Sequence, residues 1–155
     1  MRIHPKKIAY KDLSYLIRSA EENDAKMLAE VRLQIDGETE NLDREKGENY
    51  IDEKGFHHLI NEDTESSRKL FLVCEWNGRI VAFSRCQGNT LKRTAHQVEF
   101  GVCVLKEFWG YGIGTNLLKE TISWADTNEI KKITLKVLET NSNGIMLYCK
   151  VQEHL

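Results

Sequence analysis

Glycine stands at every second position of Trp109-Gly110-Tyr111-Gly112-Ile113-Gly114-Thr115. Such spacing lets a backbone approach a ligand closely and adopt dihedrals that side chains forbid. Downstream, Leu118, Ile122 and Ala125 recur at helical spacing, with Leu117 and Thr121 widening the stripe, which predicts a helix over 115–126. Upstream, 96–104 alternates, with Val98, Phe100, Val102 and Val104 on one face and Gln97, Glu99, Gly101 and Cys103 on the other, the pattern of a strand. A glycine turn between a strand and a helix leaves the first helical amides without partners. Reinforced by the helix dipole, those donors favour a phosphate or pyrophosphate.

Spacing separates the alternatives. A Walker loop needs a lysine directly after its last glycine, and Thr115 stands there instead. A dinucleotide fingerprint needs G-x-G-x-x-G directly after its strand, whereas these glycines fall at 110, 112 and 114 after a spacer. A turn that merely packs helix on sheet is the bland alternative to an anion site for the segment taken alone.

A second segment narrows the choice. The turn is similar to the coenzyme A signature of the GNAT superfamily, Arg/Gln-x-x-Gly-x-Gly/Ala, with Gly112 and Gly114 at its glycine positions and Trp109 where Arg or Gln is most frequent. Asn141-Ser142-Asn143-Gly144-Ile145-Met146-Leu147-Tyr148-Cys149-Lys150 resembles the family's N-x-x-A-x-x-L-Y-x-K segment. Gly144 replaces its alanine, at about 1 kcal/mol of helix stability. The resemblance spans roughly residues 14–150 and implies an acetyl-CoA-dependent N-acetyltransferase, with no metal, acting on a primary amine of a small molecule or peptide. It implies cofactor contacts from Val102, Cys103 and Val104 on a strand that splays from its neighbour, from Trp109, Gly110, Tyr111, Gly112, Ile113, Gly114 and Thr115 in the turn, and from Asn141 and Tyr148. A backbone amide near Val104 would polarise the acetyl carbonyl, and the Tyr148 hydroxyl would protonate the departing thiolate. Helix capping by Asn141 and simple packing by Tyr148 are the bland alternatives.

An alkylamine with a pKa near that of lysine, about 10.4, must lose a proton before it attacks. Glu99, on the strand before the turn, is the first candidate base and His96 the second; each is otherwise a surface residue. A covalent route through Cys103 or Cys149 with His96 lacks triad spacing, so direct attack by the amine is expected. His57 and His58 have no partner motif for a metal. Cys74, Cys86, Cys103 and Cys149 lack both zinc-like and C-x-x-C spacing and read as free, mostly buried thiols.

The elements that must position these groups fit one domain over residues 1–155. Hydrophobic residues are 41% and charged residues 30%, the balance of a globular protein, and the net charge of -2 argues against nucleic acid. Apolar runs are too short for a membrane span or a signal peptide, which predicts the cytoplasm. A strand is expected over 14–18, then a helix capped by Asn23 or Asp24 that buries Met27, Leu28, Val31 and Ile35. A second helix should carry Tyr50, Phe56, Leu59 and Ile60. Between them, Glu38, Glu40, Asp43, Glu45 and Glu48 form an acidic loop, either a solvated face or an attraction for a cationic amine. Runs 70–74 and 80–84 flank Asn77-Gly78, a type I′ hairpin signal, and a strand over 133–138 precedes a helix over 142–150. The order predicts an α/β (α+β) fold, and the resemblance makes it a GNAT-like mixed, mostly antiparallel sheet flanked by helices. Members of the family continue past the equivalent of Lys150 into two closing strands, whereas this sequence reads Val151-Gln152-Glu153-His154-Leu155. C-terminal truncation is therefore expected, with a catalytically impaired acetyl-CoA-binding module as the alternative function and a homodimer as one cover for the exposed edge.

Overall fold

Asn77 and Gly78 both take positive φ, 49° and 75°, and join β3 (Lys69–Trp76) to β4 (Arg79–Gly88) through a two-residue turn with Trp76 opposite Arg79. This is the expected I′ hairpin, and it forms the centre of the sheet. The computed structural model of the chain describes residues 3–10, 12–38, 52–66, 69–88, 97–127, 130 and 132–135. Six strands lie in the order β1 (Lys6–Tyr10), β2 (Leu13–Ser19), β3, β4, β5 (Gln97–Val104) and β6 (Lys132–Leu135). Neighbours are antiparallel except β5 and β6, which run parallel, as a strand pair joined through helix α3 (Ile113–Thr127) must. The mixed, mostly antiparallel sheet flanked by helices is the fold expected from the order of elements together with the family resemblance.

β1 was not anticipated. Its KKIAY sequence forms an edge strand with only Ile8 half-covered, so it carries no apolar alternation to read. Helix α1 (Ala25–Glu38) follows a 3₁₀ turn at Glu22–Asp24 and buries Leu28, Val31 and Ile35, with Met27 half-covered. Asp24 turns back rather than forward: its carboxylate accepts from the Glu21 N–H at 2.8 Å and from Arg18 at 2.7 and 2.9 Å. Helix α2 (Glu53–Glu65) starts after Asp52, whose side chain accepts from the Gly55 N–H at 2.8 Å and so satisfies one of the helix's first donors. Tyr50, residues 136–138 and the 142–150 helix lie outside the described residues. No described helix is long and apolar enough to cross a membrane.

Phe56 on α2 packs edge-on against Phe71 and Phe83, at 6.3 and 6.2 Å between ring centroids, which puts α2 on the face that Phe71 and Phe83 share. Strand parity sends Leu70, Leu72 and Cys74 to the opposite face, toward α3. Within the α2 face Asp63 is fully buried, and Arg85 on β4 holds it with paired hydrogen bonds of 2.9 and 3.0 Å. The guanidinium also lies over the Phe71 ring, 5.7 Å from its centroid. Cys74 and Cys86 are buried thiols whose pKa values burial pushes up to about 12. Asp63→Ala removes the buried carboxylate and leaves the half-buried guanidinium without it, so it should cost about 3 kcal/mol in urea unfolding, and Asp63→Leu with Arg85→Met should recover most of it. A loss below about 1 kcal/mol for the single variant would show the pair to be worth no more than an exposed one.

Candidate active site

The site begins with the hydrogen-bonding parity of β5. Leu105 donates its N–H to the Val81 carbonyl at 3.0 Å, and the register sets Cys103 opposite Phe83, Gly101 opposite Arg85 and Glu99 opposite Gln87. In an antiparallel pair bonded and non-bonded positions alternate, so these odd-numbered residues spend their backbone groups on β4. Val98, Phe100, Val102 and Val104 therefore point N–H and C=O to the other edge. There β6 takes Gln97–Phe100, with Val98 beside Ile133 and Phe100 beside Leu135. Among the described residues no strand covers Val102 and Val104, and Trp109 reaches into that edge, its indole Nε1 donating to the Val104 carbonyl at 3.0 Å.

The chain leaves β5 at fully buried Leu105 and makes a 3₁₀ turn, Lys106–Phe108, closed by bonds from the Phe108 N–H to the Leu105 carbonyl and from the Trp109 N–H to the Lys106 carbonyl. Phe108 is buried against Trp76, 5.4 Å between centroids, which fixes the entry to the glycine segment. Gly110 and Gly112 then adopt φ of 87° and 72°, a region L side chains rarely enter. Helix α3 opens at Ile113, two residues before the predicted start. Its first bond runs from the Asn116 N–H to the Gly112 carbonyl at 2.9 Å, so the N–H groups of Ile113, Gly114 and Thr115 precede the intrahelical ladder. Buried Ile113 and Leu117 anchor the helix beneath them.

The inner side of the turn is held by residues the sequence reading did not single out. Tyr15 on β2, 2% exposed, donates its hydroxyl to the Tyr111 carbonyl at 3.0 Å and accepts from Asn116 Nδ2 at 2.8 Å. The same amide donates to the Gly112 carbonyl at 3.0 Å. Burial raises the Tyr15 pKa, so the hydroxyl stays protonated and remains a donor. Tyr10 on β1 packs its ring beside Gly112, 3.7 Å from where a β-carbon would stand. No spacing connects Tyr10, Tyr15 and Asn116. The only hint is that large polar-tipped rings on otherwise apolar or edge strands need partners for their hydroxyls.

The structure thus gathers Val102, Val104, Trp109, Gly110, Tyr111, Gly112, Ile113, Gly114 and Thr115 along one strand edge and turn. Cys103 is separated from them: its backbone engages β4, while its half-buried side chain shares the face of Gly101 and Glu99. Glu99 is exposed on that face. Its level on β5 is three residues before Val102, about 10 Å along an extended strand. His96, Asn141, Tyr148 and Cys149 lie outside the described residues, as does most of the acidic loop. His57 and His58 face Glu53 and Glu62 at 3.9 and 3.2 Å, one helical turn away, and among the described residues no cluster of His, Cys, Asp and Glu could hold a metal ion.

Comparison with known proteins bears on the same elements. The family model described as "Acetyltransferase (GNAT) family" matches residues 38–152. Among solved structures, the GNAT-family acetyltransferase of Streptococcus pneumoniae is 26% identical, with a TM-score of 0.84 over 88% of this chain and 83% of its own. The ribosomal-protein-alanine N-acetyltransferase of Brucella melitensis is 23% identical, with a TM-score of 0.76 over 87% and 82%. A candidate acetyltransferase of Salmonella typhimurium, yncA, whose structure includes its cofactor acetyl-CoA, is 20% identical, with a TM-score of 0.75 over 88% and 78%. A search of curated proteins finds no match. The stretch that fits the family model makes up most of the chain and runs through β5, the glycine turn and α3, and the chain belongs to the GNAT family of acetyltransferases.

Proposed function

We propose that the chain is a single-domain, cytoplasmic N-acetyltransferase that moves the acetyl group of acetyl-CoA to a primary amine of a small molecule or peptide by direct attack. The observation that carries this reading is the adjacency of a strand edge that no described strand covers at Val102 and Val104 to a turn whose carbonyls are held inward. Ile113, Gly114 and Thr115 offer their amides to the pyrophosphate, strengthened by the dipole of α3. Val102 and Val104 offer strand backbone to the pantetheine arm, as an added strand would use it. The Val104 N–H then polarises the acetyl carbonyl, a preorganised donor of the kind worth about 3 kcal/mol.

Glu99 stands too far from this edge for direct contact with the reacting amine, and it takes the proton through water. Tyr148 donates to the leaving thiolate. The acidic stretch containing Glu38, Glu40, Asp43, Glu45 and Glu48 favours a cationic acceptor such as a polyamine, aminoglycoside or basic peptide.

Calorimetric titration of the purified chain with acetyl-CoA should show saturable binding. Gly112→Val should abolish that binding while the protein stays folded, because an L residue at a φ of 72° is strained by about 1–2 kcal/mol and relieves the strain by moving the turn. No binding by the unaltered chain would remove the reading. Across a panel of those three amine classes, Glu99→Gln and Tyr148→Phe should each lower kcat about 100-fold or more with little change in the KM for acetyl-CoA. Losses under tenfold for both would put the proton transfers on other groups, and binding without turnover of any amine would leave only an acetyl-CoA-binding module.

A further inference from the structure

The Tyr111–Gly112 peptide has two accessible orientations. A positive φ at the second central residue of a turn becomes negative when the preceding peptide plane flips, the change that relates type II to type I turns, and glycine allows both states. In a trans peptide the N–H points opposite to the C=O, and the described backbone contains no cis bond. With the Tyr111 carbonyl bound to the Tyr15 hydroxyl at 3.0 Å, the Gly112 N–H must point away from Tyr15 and out of the core. In the flipped state that amide would turn inward, and a carbonyl oxygen would face any anion on the turn.

We propose that Tyr15 is a positioning residue that locks this peptide plane, so that the Gly112 amide joins those of Ile113, Gly114 and Thr115 as a donor to the pyrophosphate. Asn116 completes the lock. Its side-chain amide orients the Tyr15 hydroxyl at 2.8 Å and holds the next carbonyl, that of Gly112, at 3.0 Å. Two successive carbonyls are thereby satisfied from within, one from β2 and one from α3, and neither is left to compete with the amides for the outer side of the turn. The inference rests on the reading of this turn as a pyrophosphate site.

The test compares the affinities of coenzyme A and pantetheine, which lacks the pyrophosphate, for the wild-type chain and for Tyr15→Phe. The ratio of the two affinities should fall about tenfold in the variant, the factor that corresponds to about 1.4 kcal/mol. General loosening of the site would weaken both ligands together and leave the ratio unchanged. Should Tyr15→Phe fail to fold, Asn116→Ala at a half-exposed helical position removes two of the three side-chain bonds at low helical cost, and it should lower the ratio about threefold or more. A wild-type chain that binds coenzyme A no better than pantetheine overturns the pyrophosphate reading and the lock with it. A wild-type chain that discriminates, with variants that discriminate equally well, overturns the lock alone.

Discussion

The pairing of β5 with β4 constrains everything that follows along the chain. With Gly101 opposite Arg85 and Cys103 opposite Phe83, the odd positions of β5 are spent on β4, and the even positions are turned to the far edge. The same parity sends Val98 and Phe100 into the core beside α3 and leaves Glu99 and Gly101 on the opposite, open face. One strand therefore supplies a core layer, a backbone edge and a chemically distinct face at once. A slip of one residue would exchange all three, and burial of Phe100 and Val98 is what penalises that slip.

The turn after β5 solves a different problem. A segment that presents amides outward must hide the carbonyls belonging to the same peptides, and a buried carbonyl without a partner is costly. Tyr15 and Asn116 resolve this from beneath, through residues about a hundred positions apart in sequence. Phe108 against Trp76 and Leu105 in the core fix the approach, while Ile113 and Leu117 fix the exit. The glycines are free to bend because their flanks are not.

Much of this was legible in the sequence. Asn77-Gly78, the alternation across 96–104 and the helical stripe after Gly114 are local signals, each produced by a periodicity or a turn preference that acts over a few residues, and each element stands within two residues of its expected place. The glycine segment was legible for the same reason. β1 was not, because an exposed edge strand buries too little to pattern its residues. Tyr15 and Asn116 were not, because their roles exist only after β2 and α3 are brought together. Asp63 and Arg85 were likewise unread: a carboxylate and a guanidinium at those positions look like solvated charges until the sheet and α2 bring them together and bury the carboxylate.

Trp109 shows how a departure from a family pattern can keep the underlying physics. Arg and Gln, the residues most frequent at this position in the resembling family, both carry N–H donors, and so does the indole. Here that donor meets the Val104 carbonyl at 3.0 Å, on the strand edge and not in solvent, while the ring remains 38% exposed. The bond ties the first residue of the glycine segment to the last residue of β5. It also occupies the Val104 carbonyl, while the N–H of the same residue faces an edge that no strand covers among the described residues. A strand end whose acceptor is satisfied has only its donor left to offer, and a donor suits an electron-rich oxygen better than another amide, the polarity that the proposed acetyl carbonyl requires.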